Sequence, residues 1–376
     1  MTSFSTPART DVAKPRIDSI DLIHGRLELP SFLPDATVGV VRTLDAGDLE
    51  ACGVDALVMN TFHLTQRPGS TTVAALGGLH RMAGWNRPIV TDSGGFQAYS
   101  LIRQNPKFGS INDRGIIFRP EGSDRKFQLT PEKTVQLQIG YGSDVVITLD
   151  DCTHVDGTYE VQLEAVNRTI RWGKRCKDEF ERLVKGKRGE KRPLLFAVIQ
   201  GGGFPELRKR CAEELLEIGF DGFGFGGWPL DAENSLLIDI IAYTRSLVPD
   251  ELPMHALGVG HPVSIVECYK AGYNMFDSAM PTRDARHGRL LVFTSEADPV
   301  RTPSDGWFGF RYVTDDKYIR SSDPVSGLCD CLACSRYSMG YMHHLYKIGD
   351  SLFMRLATMH NLRFMTMLMG KMRGSR

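Results

Sequence analysis

Cys329, Cys331 and Cys334 fall within six positions of one another. Three thiolates at that spacing can wrap a single tetrahedral ion, and zinc suits a thiolate-dominated set. The fourth ligand must come from elsewhere. His343, His344 and His360 lie in the next segment. The first two are adjacent, so at most one of them faces the ion easily, and spacing alone does not choose among the three. With four protein ligands such a site is closed, which makes it structural rather than catalytic. Reduced thiols without metal are the plainer alternative. The other five cysteines, Cys52, Cys152, Cys176, Cys211 and Cys268, are scattered and do not read as a disulfide framework.

A second pattern lies in the residues at the end of each short apolar run. The run at 88–91 leads into Asp92, and the run at 145–149 into Asp150 and Asp151. The run at 194–199 leads into Gln200-Gly201-Gly202, and 222–225 into Gly226-Gly227-Trp228. The runs at 255–257 and 274–276 lead into Gly258-Val259-Gly260 and Asp277. Two separated carboxylates at one mouth can serve as nucleophile and general acid/base in displacement at a sugar anomeric carbon. A third carboxylate, with an amide and free backbone N–H groups, can read the edge of a purine-like heterocycle. Phe96, four residues beyond Asp92, can stack on such a ring, although an isolated phenylalanine is more often core. A single Asp after a strand is commonly a helix cap or turn residue, and Asp151, with Cys152-Thr153 after it, reads that way. That plain reading weakens when several strands in a row end in the same manner.

These groups act together only if the runs deliver them to one face. From about residue 50 to 290, β-branched runs at 56–59, 88–90, 145–149, 194–199, 222–225, 255–259 and 274–276 alternate with longer amphipathic stretches. That alternation predicts repeated β–α units and a parallel sheet buried on both faces. With an eighth strand around 36–41, the α/β pattern suggests a closed (β/α)₈ TIM barrel, against an open doubly wound sheet. In such a barrel all strand C-termini open on the face that carries the active site. Thr130-Pro131-Glu132 supplies a cap, a first-turn proline and an acid for one helix, and 159–183 has helical spacing of its apolar residues. The Gly-, Asn-, Asp- and Arg-rich region at 105–127 reads as an excursion from the barrel. After Asp298 the pattern changes, so the expected organisation is a catalytic barrel with N-terminal strands over 1–298 and a zinc-binding subdomain with C-terminal helices over 299–376.

Composition sets wider bounds. The 376 residues carry 45 Lys plus Arg against 45 Asp plus Glu, a formal net charge of zero. Binding to nucleic acid would therefore need a local basic patch. No apolar run approaches membrane-spanning length and the first residues are polar, which leads us to expect a cytoplasmic protein.

The stretches Asn60-Thr61-Phe62-His63-Leu64, Arg67-Pro68-Gly69, Thr91-Asp92-Ser93-Gly94-Gly95-Phe96-Gln97, Leu149-Asp150-Asp151-Cys152, Gln200-Gly201-Gly202 and Met275-Phe276-Asp277 are specific in combination. With the cysteine segment, His343-His344-Leu345 and His360-Asn361-Leu362, they resemble the tRNA-guanine transglycosylase family, also called queuine tRNA-ribosyltransferase, over nearly the whole chain. The resemblance implies a barrel with a zinc subdomain, usually as a homodimer, acting on tRNA with a G-U-N anticodon. The enzyme would exchange the wobble guanine for a free 7-deazaguanine, queuine or a precursor, without a nucleotide cofactor. By match, Asp277 is implied as the nucleophile at C1′ and Asp92 as the general acid/base. Asp150, Gln200 and the Gly227 backbone would read the base edge. Phe96 would stack on one side with Leu257 opposite, and Ser93, Gly94, Gly95 and Trp228 would complete the base pocket. Gly258, Gly260, His261, Ser264, Thr282, Arg283 and Arg286 resemble the segments that grip RNA. His360 is implied as the fourth zinc ligand.

One departure stands out. Where bacterial members usually continue the paired glycines with a Leu-Ala-Val-Gly-Glu-like run, this chain reads Trp228-Pro229-Leu230-Asp231-Ala232-Glu233. Pro229 has no N–H to donate, Trp228 is bulkier than leucine, and the acid is displaced by one residue. Altered selectivity for the incoming base is the expectation. The long C-terminal RNA-binding extension of archaeal members is also lacking in this sequence. Two other readings remain: the same base exchange on DNA, and a non-catalytic zinc-stabilised RNA-binding partner subunit. Intact Asp92 and Asp277 speak against the second of these. A metal-dependent barrel hydrolase is weaker still, since His63 and His255 do not form paired strand-end ligands.

Overall fold

The computed structural model describes residues 17–119, 126–154, 156–185, 191–231, 233–303 and 306–375. Eight parallel strands run in chain order around a barrel: β1 (Ser31–Pro34), β2 (Leu57–Asn60), β3 (Ile89–Asp92), β4 (Val145–Ile147), β5 (Leu194–Ile199), β6 (Gly222–Phe225), β7 (Met254–Ala256) and β8 (Met275–Ser278). β8 returns to pair with β1, placing Asp277 opposite Leu33. Between β1 and β2 closure is a single parallel bridge, Asp35 to Val58, with Ala36 N donating to Val58 O at 2.8 Å. The barrel expected from the alternating runs is therefore present, and the open sheet is not.

One strand lies elsewhere than the sequence pattern suggests. The first barrel strand is Ser31–Pro34, fully buried along its length, rather than 36–41. Gly39 takes a φ of 83° and its N–H returns to Ala36 O, so the chain turns there. The valines that suggest a strand, Val38 and Val40, point to solvent. The β-branched run imitates a strand in sequence, but a turn glycine sits in its middle.

An antiparallel hairpin, Ser19–Leu22 with Gly25–Glu28, plugs the N-terminal end of the barrel. Its Leu22 and Leu27 pack with interior residues Val58, Val90, Ile147 and Val198. Asp144, just before β4, pins the plug: it accepts from His24 N at 2.8 Å, His24 Nδ1 at 3.0 Å and Ile89 N at 2.9 Å. His80 Nε2 lies 3.3 Å from its other face. Burial alone would push the Asp144 carboxyl up, but these donors together hold it below its ordinary value.

Thr130 caps the helix Pro131–Gly140, its side chain accepting from Lys133 N, as the Thr-Pro-Glu signal anticipates. The helix Tyr159–Val184 comes after β4. The excursion at 105–127 contains strands Gly109–Asn112 and Gly115–Phe118, which form an antiparallel meander with Phe127–Leu129. Trp172 Nε1 donates to Asp113 O at 3.0 Å and ties the meander to that long helix.

Beyond the barrel, Arg289–Phe293 pairs antiparallel with Phe308–Tyr312, and three helices complete the chain: Leu332–Arg336, Met339–Lys347 and Ser351–Gly374. The last helix serves two cores. Phe353, Leu356 and Ala357 pack with Leu290, Val292, Met342 and Leu345, whereas Met359, Leu362, Met365 and Leu368 join the barrel's core. Unbranched methionines suit a helix that must fill two differently shaped seams. No helix among the described residues is long and apolar enough to cross a membrane.

Candidate active site and metal centre

The strand C-termini open into one cavity of about 440 Å³, whose wall includes Asp92, Phe96, Asp150, Trp228, Leu257 and Asp277. Each acid arrives by the route the sequence pattern anticipates. Asp92 is the last residue of β3, Asp150 comes just after β4, and Asp277 lies within β8.

Asp92 is held from three sides. Asn60 Nδ2 donates to its Oδ2 at 2.5 Å, and the backbone N–H groups of Thr61 and Gly94 donate to Oδ1 at 3.1 Å each. Those donors favour the carboxylate, yet burial outweighs them. With the charges of Asp277 and Asp35 adding to it, burial pushes the Asp92 carboxyl up to about 8. Burial thus favours the protonated form of Asp92. Asp277 differs. It is partly exposed, and Gly258 N donates to its Oδ1 at 3.0 Å. Two carboxyls with opposed environments at one cavity suit opposed roles, an acid and a nucleophile.

Asp150 accepts from Gln200 Nε2 at 2.6 Å, and burial pushes its carboxyl up to about 7 despite that bond. Gln200 is fully buried, and its Oε1 has no partner among the described residues. Gly227, beside it, has a φ of 89°, a conformation that other residues reach only with strain. Arg208 braces this region from below. Its Nη1 donates to Ile199 O at 2.6 Å and its Nε to Gly202 O at 3.0 Å, with the guanidinium over the Phe225 ring. Phe96 is 39% exposed at the rim and meets Trp228 edge-on, ring centres 5.2 Å apart. Ser93 turns inward: its Oγ accepts from Gly95 N and its carbonyl from Thr134 Oγ1. Gly94 and Gly95 line the cavity. Asp151 stays outside it, paired with Arg168; the cap of the helix that comes next is Thr158, not Asp151.

The residues matched to RNA gripping occupy varied settings. Gly258 is exposed beside Asp277, while Gly260 is buried so tightly that a Cβ there would collide with the Ser278 side chain. His261 is half-buried against Phe308 and Phe310, and burial lowers its imidazole below the ordinary value. Ser264 lies half-buried on the helix Pro262–Lys270. Thr282 is buried, its hydroxyl donating to Ala279 O at 3.1 Å. Arg283 is exposed and Arg286 half-buried. Burial and then the nearby Arg42 depress Arg286's affinity for its proton, with Arg283 adding to the effect. Arg42 and Arg283 thus lie near Arg286, which is also within reach of Asp35 at the cavity wall.

Asn60 and Thr61 lie in a matched motif and His255 at a strand start, but the sequence assigns none of them a role at the site, and Arg42 and Arg208 do not stand out at all. Asn60 and Thr61 carry the same signal as Asp92, polar groups at a strand end. Arg42 and Arg208 sit in a loop and a helix with no periodic signature.

Cys329, Cys331, Cys334 and His360 bring their ligand atoms within 4.8 Å of one another. His360 Nδ1 lies 3.5 Å from Cys331 Sγ and 3.2 Å from Cys334 Sγ. Its Nε2 lies 2.7 Å from Leu291 O, which fixes the hydrogen there and leaves Nδ1 as the ligand. His343 is excluded by its own bond, Nδ1 to Val313 O at 2.7 Å, and His344 is exposed. The Cys329 and Cys334 sulfurs and then His360 hold the Cys331 thiol far below its ordinary value. Three sulfurs and an imidazole nitrogen converging on one point are a donor set that can hold one metal ion.

Acids and an amide at the C-terminal mouth of a closed (β/α)₈ barrel, beside a Cys₃His cluster, define a barrel enzyme with an appended metal-binding subdomain. The family model described as queuine tRNA-ribosyltransferase matches residues 11–375. Psychrobacter cryohalolentis has a queuine tRNA-ribosyltransferase 37% identical over 362 residues, covering 96% of this chain and 90% of that protein. Enzymes of the same name from Thermotoga maritima and Halothermothrix orenii are 38% and 35% identical, covering 96% and 99% of this chain and 91% and 93% of their own. The chain belongs to the queuine tRNA-ribosyltransferase family, a family of pentosyl-transferring enzymes.

Proposed function

We propose that this enzyme exchanges guanine at the wobble position of G-U-N tRNAs for a free 7-deazaguanine, by double displacement through a covalent intermediate on Asp277. The observation that carries the reading is the contrast across the cavity: a buried Asp92, its carboxyl pushed up by burial, and a partly exposed Asp277 line the same wall. Asp277 attacks C1′ of the target nucleotide as the bond to guanine breaks. Asp92 gives its proton to the departing base, then takes one from the incoming base as that base displaces Asp277 from C1′. Two inversions return the original configuration. Asp150, Gln200 and the Gly227 N–H read the base edge, with Phe96 and Leu257 on its faces. Arg283, Arg286 and Arg42 supply the local positive charge that a neutral chain needs for tRNA.

Zinc is the proposed occupant of the Cys329, Cys331, Cys334 and His360 cluster, a structural ion that joins the last helix to the cysteine segment at 329–334. Homodimeric association and action in the cytoplasm belong to the same reading. Trp228-Pro229-Leu230 at the cavity wall supports altered selectivity toward the 7-substituent; equal turnover of free bases with and without an aminomethyl group would contradict it. The test of the function is exchange of radiolabelled guanine into unmodified G-U-N tRNA beside a matched DNA oligonucleotide. Labelling of the tRNA alone, abolished when the wobble guanosine is replaced, is expected. Labelling of DNA alone, or of neither, would overturn the assignment.

A further inference from the structure

His255 lies on β7 beside β8, paired in register with Met275, two residues before Asp277. Its side chain is fully buried, and its Nε2 stands 2.8 Å from Asp277 Oδ1. The two groups are close without forming a hydrogen bond, and neither ring nitrogen has another partner among the described residues. Leaving both nitrogens of a buried imidazole unpaired is unfavourable, so packing alone does not account for histidine here. The backbone N–H of Gly258 donates to the same Oδ1 at 3.0 Å. One formed donor and one close ring nitrogen thus converge on the same oxygen of Asp277, and no donor among the described residues reaches Oδ2.

We propose that His255 is a positioning residue for the nucleophile: its Nε2–H and the Gly258 N–H hold Oδ1, leaving Oδ2 as the oxygen that attacks. The inference rests on the base-exchange reading above. In the first displacement the Oδ2–C1′ bond forms as the C1′–N9 bond breaks. The electron pair leaves with guanine, which takes the proton of Asp92, and Oδ1 becomes the ester carbonyl oxygen. In the second, the incoming base gives its proton to Asp92 and bonds to C1′. The electron pair of the C1′–Oδ2 bond then returns to the carboxylate, where the charge spreads onto Oδ1. A donor preplaced at Oδ1 bonds more strongly as that charge returns, and so assists the departure of Asp277. Close pairs that make no hydrogen bond in the free enzyme commonly align as a reaction complex forms.

The test compares His255→Leu, which removes the donor, with His255→Gln, which keeps an N–H. Both are assayed by guanine exchange into G-U-N tRNA, with folding and zinc content checked. We expect His255→Leu to lower kcat by about 100-fold, with KM for tRNA unchanged within about twofold, and His255→Gln to recover most of the loss. A His255→Leu enzyme within about twofold of the parent, or a His255→Gln enzyme as impaired as His255→Leu, would overturn the proposal. Because either variant can fail to fold, the unaltered enzyme supplies a second measurement, the crystal structure of its trapped RNA adduct. The bonded oxygen of Asp277 should be the one facing away from His255, with Nε2 in line on the other; the reverse attachment contradicts the proposal. An enzyme that neither exchanges base nor forms an adduct would overturn the base-exchange reading itself. Normal exchange with contrary His255 results overturns this inference alone.

Discussion

Gln200 Nε2 donates to Asp150 Oδ2 at 2.6 Å, tying the ends of β5 and β4, while burial pushes the Asp150 carboxyl up to about 7. The carboxylate is the better acceptor for the N1 and N2 hydrogens of guanine. KM for guanine should therefore fall as pH rises through about 7 and level off above it. Asp150→Asn should raise that KM by at least about tenfold and lose its pH dependence. Steady-state guanine exchange from pH 6 to 8 checks this, and a flat profile for the parent enzyme would contradict it.

Asp92 makes a second pH prediction, on stability as well as rate. The folded carboxyl keeps its proton to about 8, whereas an unfolded aspartate releases it near about 4. Between those values the native state binds more protons, so this group's contribution to stability falls as pH rises through that window. Asp92→Asn removes the slope: its melting temperature relative to the parent should climb from pH 4 to 8, by an amount equivalent to at least about 1 kcal/mol. Exchange by the same variant should drop by about 100-fold or more. Paired thermal melts and assays across that range decide it; a variant less stable than the parent at pH 8 would count against a buried, protonated Asp92.

The metal cluster should behave as a structural element. Cys331→Ser and His360→Ala should each lose bound zinc, and chelation of the parent should lower its melting temperature, a loss of stability on the order of several kcal/mol. Metal analysis with calorimetry checks this. His343→Ala should keep the full metal content, because its imidazole is occupied by Val313 O. Loss of zinc from that variant would mean a different ligand set.

Arg42 and Arg283 lie close enough to Arg286 to act on its charge, with Asp35 opposing them. If they meet phosphates, replacing Arg283 or Arg42 by Ala should raise KM for tRNA about 3–30-fold. Each should also flatten the salt dependence of binding by about one unit of slope, with kcat little changed. Filter binding at several salt concentrations reads both effects, and an unchanged slope would remove that arginine from the interface.

Much of the fold is legible in the sequence because the barrel strands are short, apolar and punctuated by turn residues. The same punctuation places Asp92, Asp150, Gln200 and Asp277 at strand ends, where a parallel barrel must bring them together. The failures have physical causes. Around 36–41, β-branched valines point to solvent across a glycine turn, and the buried strand is the less conspicuous Ser31–Pro34. Spacing leaves His343, His344 and His360 equivalent, because the choice depends on which imidazole has its far nitrogen held by Leu291 O, a contact 69 residues away in sequence. Arg208 and His255 act through neighbours brought together by folding, and nothing in their local sequence marks them.

The central claim, a covalent intermediate on Asp277, has a direct test. The enzyme is mixed with end-labelled G-U-N tRNA, resolved on a denaturing gel, and the adduct digested and mapped by mass spectrometry. The account predicts a denaturant-stable RNA–protein band with ribose attached at Asp277, absent from Asp277→Asn at unchanged fold and zinc content. Normal guanine exchange by Asp277→Asn, or an adduct mapped to another residue, would contradict it.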